Sequence, residues 1–369
     1  MSNYCADIHN NLSITLTSQG VQVGACCWEK SPTVVLPDQD LWKTSNLQKL
    51  RELNKVDLLD NKACAQCIYM EQNGGPSRRT GINEYYKSTA TDQPGPRGLE
   101  ISIDYTCNIA CVYCNPALST KWRTELKTPK KEFPIRMAQP DIIKILDGLD
   151  LSNLDNVHFY GGDPLFTNTH EIILNYLDQR VSLSKIYAWY NTNGTLRVNE
   201  RVQELWSRCR LVKVYFSVDD IGPRFEYIRY GAIWNKVEDN MLWYKDTMPS
   251  NIMFTLQPTL NCLNALYHYE LLEWKDKYFA TNREGDKTDL SRHNVFDKFE
   301  LDSMPDALMS QVLKNNTSDT QFVDLVQSFK FDPRKLAATQ QRIEELDNRR
   351  GCNFSTTFPD LVPYYVKST

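Results

Sequence analysis

The central part of the chain alternates short apolar runs with amphipathic segments, and this pattern restricts the possible folds more than any other feature. The strand candidates are Leu99–Ile103, Val157–Tyr160, Ile186–Tyr190, Val212–Val218 and Ile252–Leu256, with a further one near Val295–Phe299. The helix candidates between them are Ile142–Leu149, Glu171–Leu177, Glu200–Trp206, Val237–Tyr244 and Leu266–Trp274. Such alternation predicts an α/β fold with a parallel sheet covered by helices. Five or six strands are too few for a closed eight-stranded barrel.

Three cysteines follow the first strand candidate in the stretch TCNIACVYCNP. Cys107, Cys111 and Cys114 have the spacing C-x3-C-x2-C. A structural zinc site takes four ligands and usually shows paired C-x2-C units, whereas three thiolates this close suit three corners of a [4Fe-4S] cube with one iron left open. Chance clustering, or zinc with a distant fourth ligand, remains an alternative at this point.

Polar or glycine-rich segments follow the next three strand candidates. They are Tyr160-Gly161-Gly162-Asp163-Pro164, Asn191-Thr192-Asn193-Gly194-Thr195 and Ser217-Val218-Asp219. The carboxyl ends of parallel strands are where such sheets place their sites. Paired glycines let a backbone approach a ligand, and a carboxylate binds an ammonium group. The alternatives are a tight turn at GGDP, an Asn-Gly turn at Asn193, and a helix-capping role for Asp219.

The ordered series of triad, GGDP, NTNGT and SVD resembles the signature of the radical S-adenosylmethionine (SAM) superfamily. The resemblance implies a partial (β/α)6 TIM-like barrel and an enzyme. In that family the open iron of the [4Fe-4S] cluster chelates SAM, an external donor of the flavodoxin or ferredoxin type supplies one electron, and the resulting 5′-deoxyadenosyl radical abstracts a hydrogen atom.

The resemblance also implies roles for individual residues. Cys107, Cys111 and Cys114 would hold the catalytic cluster, and Tyr113 would lie against the adenine end of SAM. Gly161, Gly162 and Asp163 would bind the methionine amino group, although the family usually has glutamate where Asp163 stands. Asn193 and Ser217 would contact the ribose or the methionine carboxylate. Arg224 or Arg229 is a further candidate for contact with cofactor or substrate, and Gln257 and Asn261, expected at the same rim after the fifth strand, are candidates for contact with substrate.

Five more cysteines, Cys5, Cys26, Cys27, Cys64 and Cys67, precede the first barrel strand. Clustered thiols in a cytosolic chain more often serve metals or redox chemistry than disulfides, and the spacing is compatible with zinc. The pattern resembles the SPASM/twitch modules of radical SAM enzymes, which implies an auxiliary [4Fe-4S] cluster. Here the cysteines precede the barrel instead of following it, the glycine spacing departs from that of the family, and only one of Cys26 and Cys27 need be a ligand.

These features predict three segments. Residues 1–98 would form a small cysteine-rich iron–sulfur domain with a linker, residues 99–301 the radical SAM partial barrel, and residues 302–369 a helical extension. Within the extension, helices are expected at Asp306–Leu313 and Arg334–Asp347.

Charge and hydropathy exclude some partners. A net charge of −4 disfavours a dedicated nucleic-acid coat, without excluding a local basic groove. No apolar run approaches the ~20 residues that span a bilayer, and the N-terminus lacks the layout of a signal peptide. We therefore expect a soluble, cytoplasmic protein without a membrane partner. A basic stretch after the triad, from Lys121 to Arg136, is either a solvated face or a surface for an anionic substrate.

The substrate is predicted from the resemblance alone. Radical SAM enzymes with a SPASM-like module often modify ribosomally made peptides, so peptide maturation is the leading expectation. Modification of a small molecule or of a nucleotide or nucleoside is the alternative. A hypothesis of a different class is a non-catalytic protein that binds zinc through its thiols.

Overall fold

The computed structural model describes residues 3–36, 39–72, 77–86, 93–129, 133, 135–279 and 299–366. In chain order, the strands of the described residues are β1 (Asn11–Thr17), β2 (Gly20–Gly24), β3 (Thr33–Val35), β4 (Gly98–Ser102), β5 (Asn156–Phe159), β6 (Tyr187–Thr192), β7 (Leu211–Phe216) and β8 (Ile252–Leu256).

The α-helices of the same residues are α1 (Ala6–Asn10), α2 (Ser45–Lys55), α3 (Ala65–Gln72), α4 (Arg78–Tyr86), α5 (Thr120–Leu126), α6 (Gln139–Asp147), α7 (Thr169–Arg180), α8 (Glu200–Arg208), α9 (Gly222–Ile228), α10 (Trp234–Thr247), α11 (His268–Trp274), α12 (Asp306–Asn315), α13 (Thr320–Gln327), α14 (Pro333–Arg350), α15 (Phe354–Thr357) and α16 (Val362–Tyr365).

The strands form one open sheet in the order β3-β2-β1-β4-β5-β6-β7-β8. Strands β4, β5 and β6 are parallel neighbours, which confirms the predicted α/β fold with an incomplete parallel sheet. The five strands predicted between residues 99 and 256 all form, each shifted by no more than two residues at either end. Most of the candidate strand near Val295–Phe299 lies outside the described residues.

The N-terminal strands extend this sheet, which the sequence pattern did not predict. Strand β1 pairs in parallel with β4, and β2 and β3 continue from β1 as antiparallel neighbours. The parallel register places Leu12, Leu99, Val157 and Ala188 in one row across four strands, and all four are fully buried. Burial of this row explains why these strands read as near-continuous apolar runs.

The chain divides into two compact units. Unit one comprises Met1–Thr106, Arg123–Tyr190 and Val198–Lys213, and unit two comprises Cys107–Trp122, Asn191–Arg197 and Val214–Thr369. These bounds cut the chain differently from the three predicted segments 1–98, 99–301 and 302–369. That division into domains stays a prediction.

Unit two has a core built largely by its C-terminal helices. Phe322 of α13, Leu346 of α14 and Phe358 are almost completely buried there. The same cluster includes Ala110 and Val112, which flank Cys111 in the sequence. The helical extension, in which the sequence offered no catalytic motif, therefore packs against the loop that carries the cysteine triad.

Within the described residues, no helix has both the length and the apolar character that crossing a membrane requires.

Candidate active site

Backbone hydrogen bonds hold the triad loop on both sides of Cys111. The N–H of Ala110 donates to the carbonyl of Tyr230, and the N–H of Val112 donates to the carbonyl of Ile228, each at 2.8 Å. Cys111 itself is buried. The position of the middle cysteine is therefore set by the chain segment at the end of α9 as well as by its own loop.

Side chains satisfy the carbonyl groups of the same loop. Trp122 Nε1 donates to the Cys111 carbonyl at 2.8 Å, and Arg350 Nη2 donates to the Ala110 carbonyl at 2.9 Å. The Arg350 guanidinium also lies over the rings of Trp122 and Tyr230, at 4.6 Å and 4.4 Å from their centroids. Arg350 is the last residue of α14, so the helical extension contributes a charged side chain that binds the triad loop.

Nitrogen donors face two of the three triad sulfurs. Arg229 Nη1 lies 3.7 Å from Cys111 Sγ, and Asn193 Nδ2 lies 3.9 Å from Cys107 Sγ. The third thiol, of Cys114, donates to the carbonyl of Asn115 at 3.8 Å. Anionic sulfur ligands accept such N–H groups, so the surroundings of Cys107 and Cys111 fit thiolates that bind iron.

Burial raises the pKa of the Cys111 thiol, and the charge of Arg229 opposes that rise. Metal binding requires the thiolate and releases the proton. A nearby cation lowers the free-energy cost of deprotonating a thiol in a buried site.

Asp219 connects the arginine to the tyrosine of the triad loop. Its carboxylate accepts Arg229 Nε and Nη2, both at 2.9 Å, the hydroxyl of Tyr113 at 2.7 Å and the N–H of Thr259 at 2.7 Å. The capping alternative for Asp219 is wrong, because α9 begins after Ile221 without a side-chain cap. Its side chain is fully buried and instead serves the network around Cys111.

The segment after β6 also contacts the triad loop. Asn193 Nδ2 donates to Asn108 Oδ1 at 2.9 Å, and Asn108 Nδ2 donates to Thr195 Oγ1 at 2.9 Å. Gly194 has a φ of +75°, so the predicted Asn-Gly turn forms. The Asn-Gly turn and the contact of Asn193 with the triad loop thus occur together. The N–H of Ser217 donates to the carbonyl of Thr192 at 2.8 Å, which leaves its predicted contact with SAM untested.

The two glycines after β5 are required by a close backbone approach. Gly161 has a φ of +129°, and a Cβ there would lie 2.7 Å from the carbonyl oxygen of Asp104. A Cβ on Gly162 would lie 2.4 Å from the carbonyl oxygen of Thr106. The segment that directly precedes Cys107 therefore packs against GGDP with no room for a side chain.

Asp163 is buried, and its Oδ1 accepts the N–H of Leu165 at 2.9 Å. This contact is the turn geometry that the sequence offered as an alternative. Recognition of the methionine amino group by Asp163 stays a prediction.

Other rim candidates are engaged within unit two. Arg224 Nε pairs with Asp220 at 3.0 Å, and its Nη2 pairs with Glu270. Asn261 is fully buried, and its Oδ1 accepts the N–H of Leu263. Gln257 Oε1 accepts Asn191 Nδ2. These contacts give Arg224 and Asn261 structural roles that the sequence motifs did not indicate.

Four of the five N-terminal cysteines line one cavity. Cys5 precedes α1, Cys26 follows β2, and Cys64 and Cys67 lie at the beginning of α3. Three separate segments of unit one therefore bring four thiols to a common space. Such a set of sulfur donors fits an iron–sulfur cluster with four cysteine ligands.

The neighbouring Cys27 does not line this cavity. Its side chain is exposed, and its Sγ lies 3.7 Å from Arg78 Nη1. Arg78 pairs with Asp7 at 2.6 Å and with Glu100, whose other oxygen accepts the N–H of Cys27. The structure thus separates two adjacent cysteines that the sequence could not distinguish.

Burial raises the pKa values of the cavity thiols. For Cys5, the charges of Asp7 and Cys64 add to the effect of burial, and for Cys64, burial and Cys67 raise the pKa to about 11. Thiols of this kind stay protonated until a metal replaces the protons. Across the described ranges of the chain, no three His, Cys, Asp or Glu side chains are grouped so that they could hold a single metal ion.

Comparison with known proteins finds a family match for the part of the chain that contains the triad. Residues 101–266 match the family model of the radical SAM superfamily, a range that runs from β4 to just before α11. GTP 3′,8-cyclase of Clostridium botulinum is 28% identical over 140 residues, which cover 38% of this chain and 40% of the relative. The enzyme of the same name from Peptoclostridium acidaminophilum is 29% identical over 154 residues, 41% of this chain and 44% of the relative. The chain thus spans less than half of the length of these relatives.

Two solved structures are similar over longer stretches but at low identity. Streptococcus suis SuiB bound to precursor peptide SuiA is 11% identical, covers 100% of this chain and 77% of that one, and has a TM-score of 0.39. The anSMEcpe structure with bound AdoMet and the Cp18Cys peptide is 17% identical, covers 64% and 62%, and has a TM-score of 0.37.

Proposed function

We propose, from the radical SAM domain formed by residues 101–266, that Cys107, Cys111 and Cys114 hold a [4Fe-4S] cluster whose open iron binds SAM. The protein is an enzyme that uses radical chemistry. When bound, the cluster and SAM would supply one-electron reductive cleavage of SAM and abstraction of a hydrogen atom from the substrate. The electron comes from an external donor of the flavodoxin or ferredoxin type.

The observation that carries this proposal is the environment of the triad sulfurs. Arg229 and Asn193 direct N–H groups at Cys111 and Cys107, and backbone hydrogen bonds of Ala110 and Val112 hold the triad loop on both sides of Cys111. A buried cation beside a cysteine sulfur is not needed in an ordinary surface loop. It is expected where the loop presents anionic sulfur ligands, because a charged N–H donor stabilises them.

For SAM itself we propose the residues at the ends of the strands. Gly161 and Gly162 would offer backbone groups, Asp163 would accept the amino group, and Asn193 and Ser217 would contact the ribose or carboxylate. Tyr113 would lie against the adenine end while its hydroxyl remains bonded to Asp219.

We further propose an auxiliary [4Fe-4S] cluster, of the SPASM/twitch type, on Cys5, Cys26, Cys64 and Cys67. Its support is that these four thiols line one cavity, whereas Cys27 pairs with Arg78 outside it. Four thiolates would complete the coordination of the cluster, which suits a role in electron relay.

The proposed substrate is a peptide, because radical SAM enzymes with such a module often modify peptides. The second candidate is a nucleotide, because the curated relatives with 28% and 29% identity are named GTP 3′,8-cyclase. Within the basic stretch, Arg123 adds no exposed charge that would support the second candidate. Arg123 is buried and donates to the carbonyl of Phe133, while Lys130 and Lys131 lie outside the described residues.

Anaerobic reconstitution tests the enzyme proposal. We expect brown protein with iron and sulfide for two four-iron clusters, and formation of 5′-deoxyadenosine from SAM with a one-electron reductant. Colourless protein that contains only zinc would support the non-catalytic zinc-binding hypothesis and refute the proposal.

Substrate class is tested by hydrogen transfer. Reconstituted enzyme is incubated with SAM and either GTP or short peptides encoded next to its gene, each fully deuterated, and 5′-deoxyadenosine is examined by mass spectrometry. Deuterium transfer from a peptide is the expected result. Transfer from GTP alone would replace the peptide proposal by the nucleotide one.

A further inference from the structure

Two arginines that follow β7 are paired with consecutive aspartates but have different surroundings. Arg229 pairs with Asp219, and Arg224 pairs with Asp220 and Glu270. Arg229 Nη1 also lies 3.7 Å from the sulfur of Cys111, whereas the Arg224 guanidinium lies 4.1 Å from the centroid of the Tyr267 ring. The first arginine therefore faces a triad sulfur, and the second provides an internal comparison.

The geometry leaves Arg229 little freedom. Its Nε and Nη2 donate to both oxygens of Asp219, which is fully buried, and the guanidinium itself is only 6% exposed. Because a guanidinium is planar and its donors are fixed as a fork, binding the carboxylate with one edge directs Nη1 at the sulfur. Tyr113 and the N–H of Thr259 fix Asp219 in turn.

A hydrogen-bond donor beside a cysteine ligand changes the reduction potential of the cluster that the cysteine holds. Hydrogen bonds to cysteine sulfur and positive charge both stabilise the more negative, reduced form of an iron–sulfur cluster, and burial strengthens the effect. We propose that Arg229, held by Asp219, raises the reduction potential of the cluster on the triad through its contact with Cys111. This inference rests on the proposed function.

The test is a redox titration of the reconstituted protein, followed by the electron paramagnetic resonance signal that changes when SAM is added. Arg229→Gln should reduce the equilibrium constant for one-electron reduction at least tenfold, which corresponds to a shift of about 59 mV to lower potential. Arg229→Lys keeps the charge and should retain most of the wild-type potential. Arg224→Gln is the matched control and should leave the potential unchanged.

A variant of the partner guards against misfolding as the cause. Asp219→Asn removes the countercharge, so the potential should move upward, opposite to Arg229→Gln. An unchanged potential in Arg229→Gln, equal shifts in Arg229→Gln and Arg229→Lys, or shifts of one sign in Arg229→Gln and Asp219→Asn would each overturn the inference. Failure of the proposed function has a different signature, since wild-type protein would then show no signal that responds to SAM.

Discussion

The triad loop and the N-terminal cavity both collect cysteines, but they do so by different means. The triad comes from eight consecutive residues, and two side chains from distant parts of the sequence complete it, the buried Arg229 and the half-buried Arg350. The N-terminal set comes from three segments whose thiols converge on a cavity. In the first case the spacing in the sequence brings the three cysteines together, and the fold adds side chains around them. In the second case the fold itself brings the four thiols together.

This difference predicts unequal consequences of losing cysteines. Changing Cys107, Cys111 and Cys114 together to Ala should abolish 5′-deoxyadenosine formation and remove about half of the iron. Chromatographic assay of 5′-deoxyadenosine and colorimetric iron analysis measure both effects. If the triple variant still cleaved SAM, the assignment of the triad would be wrong.

Replacing Cys64 and Cys67 together by Ala tests the second site. We expect the iron content to fall by about half while the SAM-responsive signal of the first cluster persists. An unchanged iron content would rule out an auxiliary cluster at these residues.

The two adjacent cysteines give a sharper comparison at the same site. Cys26→Ala should reduce iron binding, because Cys26 lines the cavity, whereas Cys27→Ala should not, because Cys27 lies at Arg78. Iron analysis after anaerobic reconstitution reads out both variants. The reverse outcome would assign Cys27 as the ligand.

The same comparison shows what the sequence could and could not predict. Local patterns sufficed for the strands from β4 to β8 and for α14, because apolar runs and helical periodicity follow from burial. Pairing of β1 with β4 joins residues more than 80 positions apart, as in Leu12 with Leu99, and no local pattern encodes it. Cys26 and Cys27 have the same chemistry, so only the position of each side chain separates them.

Residues that support the triad were missed for the same reason. Arg350 reaches Ala110 across 240 positions, and Asp219 looked like a helix cap because it precedes α9. An acidic residue followed by an arginine ten positions later, as Asp219 is by Arg229, is the one sequence signal that could have indicated this ion pair. The sequence motifs indicated Arg229 as a contact candidate but did not predict that it faces a cysteine.

Removing the Arg350 side chain should have a moderate effect confined to the triad. Arg350→Ala loses a charged hydrogen bond and two stacking contacts, which together lower the free energy of unfolding by about 2 kcal/mol. Iron on the triad should also be lost faster to a chelator, by several-fold. Chemical denaturation and timed chelation measure these quantities.

Arg349→Ala is the matched control for this variant, because Arg349 is the exposed neighbour on the same helix end. It should change neither measurement. Equal effects of the two substitutions would show that general destabilisation of α14, and not the bond to Ala110, explains the result.

The smallest predicted effect concerns the pH dependence of the free energy of unfolding, and it arises from a histidine in unit one. His170 is buried, its Nδ1 lies 3.3 Å from the Tyr190 hydroxyl, and its ring contacts Phe159 edge-on. Burial lowers its pKa from 6.5 to about 4, although the charge of Asp104 opposes the shift. The folded state thus prefers the neutral ring. Its contribution to stability is complete above pH 6.5 and is lost as the pH falls from 6.5 towards 4.

Between pH 7.5 and 5.5 this group should lower the free energy of unfolding by about 1 kcal/mol. His170→Phe keeps the ring and cannot be protonated, so denaturation curves of the variant should show a correspondingly smaller dependence on pH in this window. Because unit one also contains the N-terminal cavity, acid should release iron from wild-type protein more readily than from the variant. Identical pH dependence in the two proteins would show that protonation of His170 does not govern the acid response of unit one.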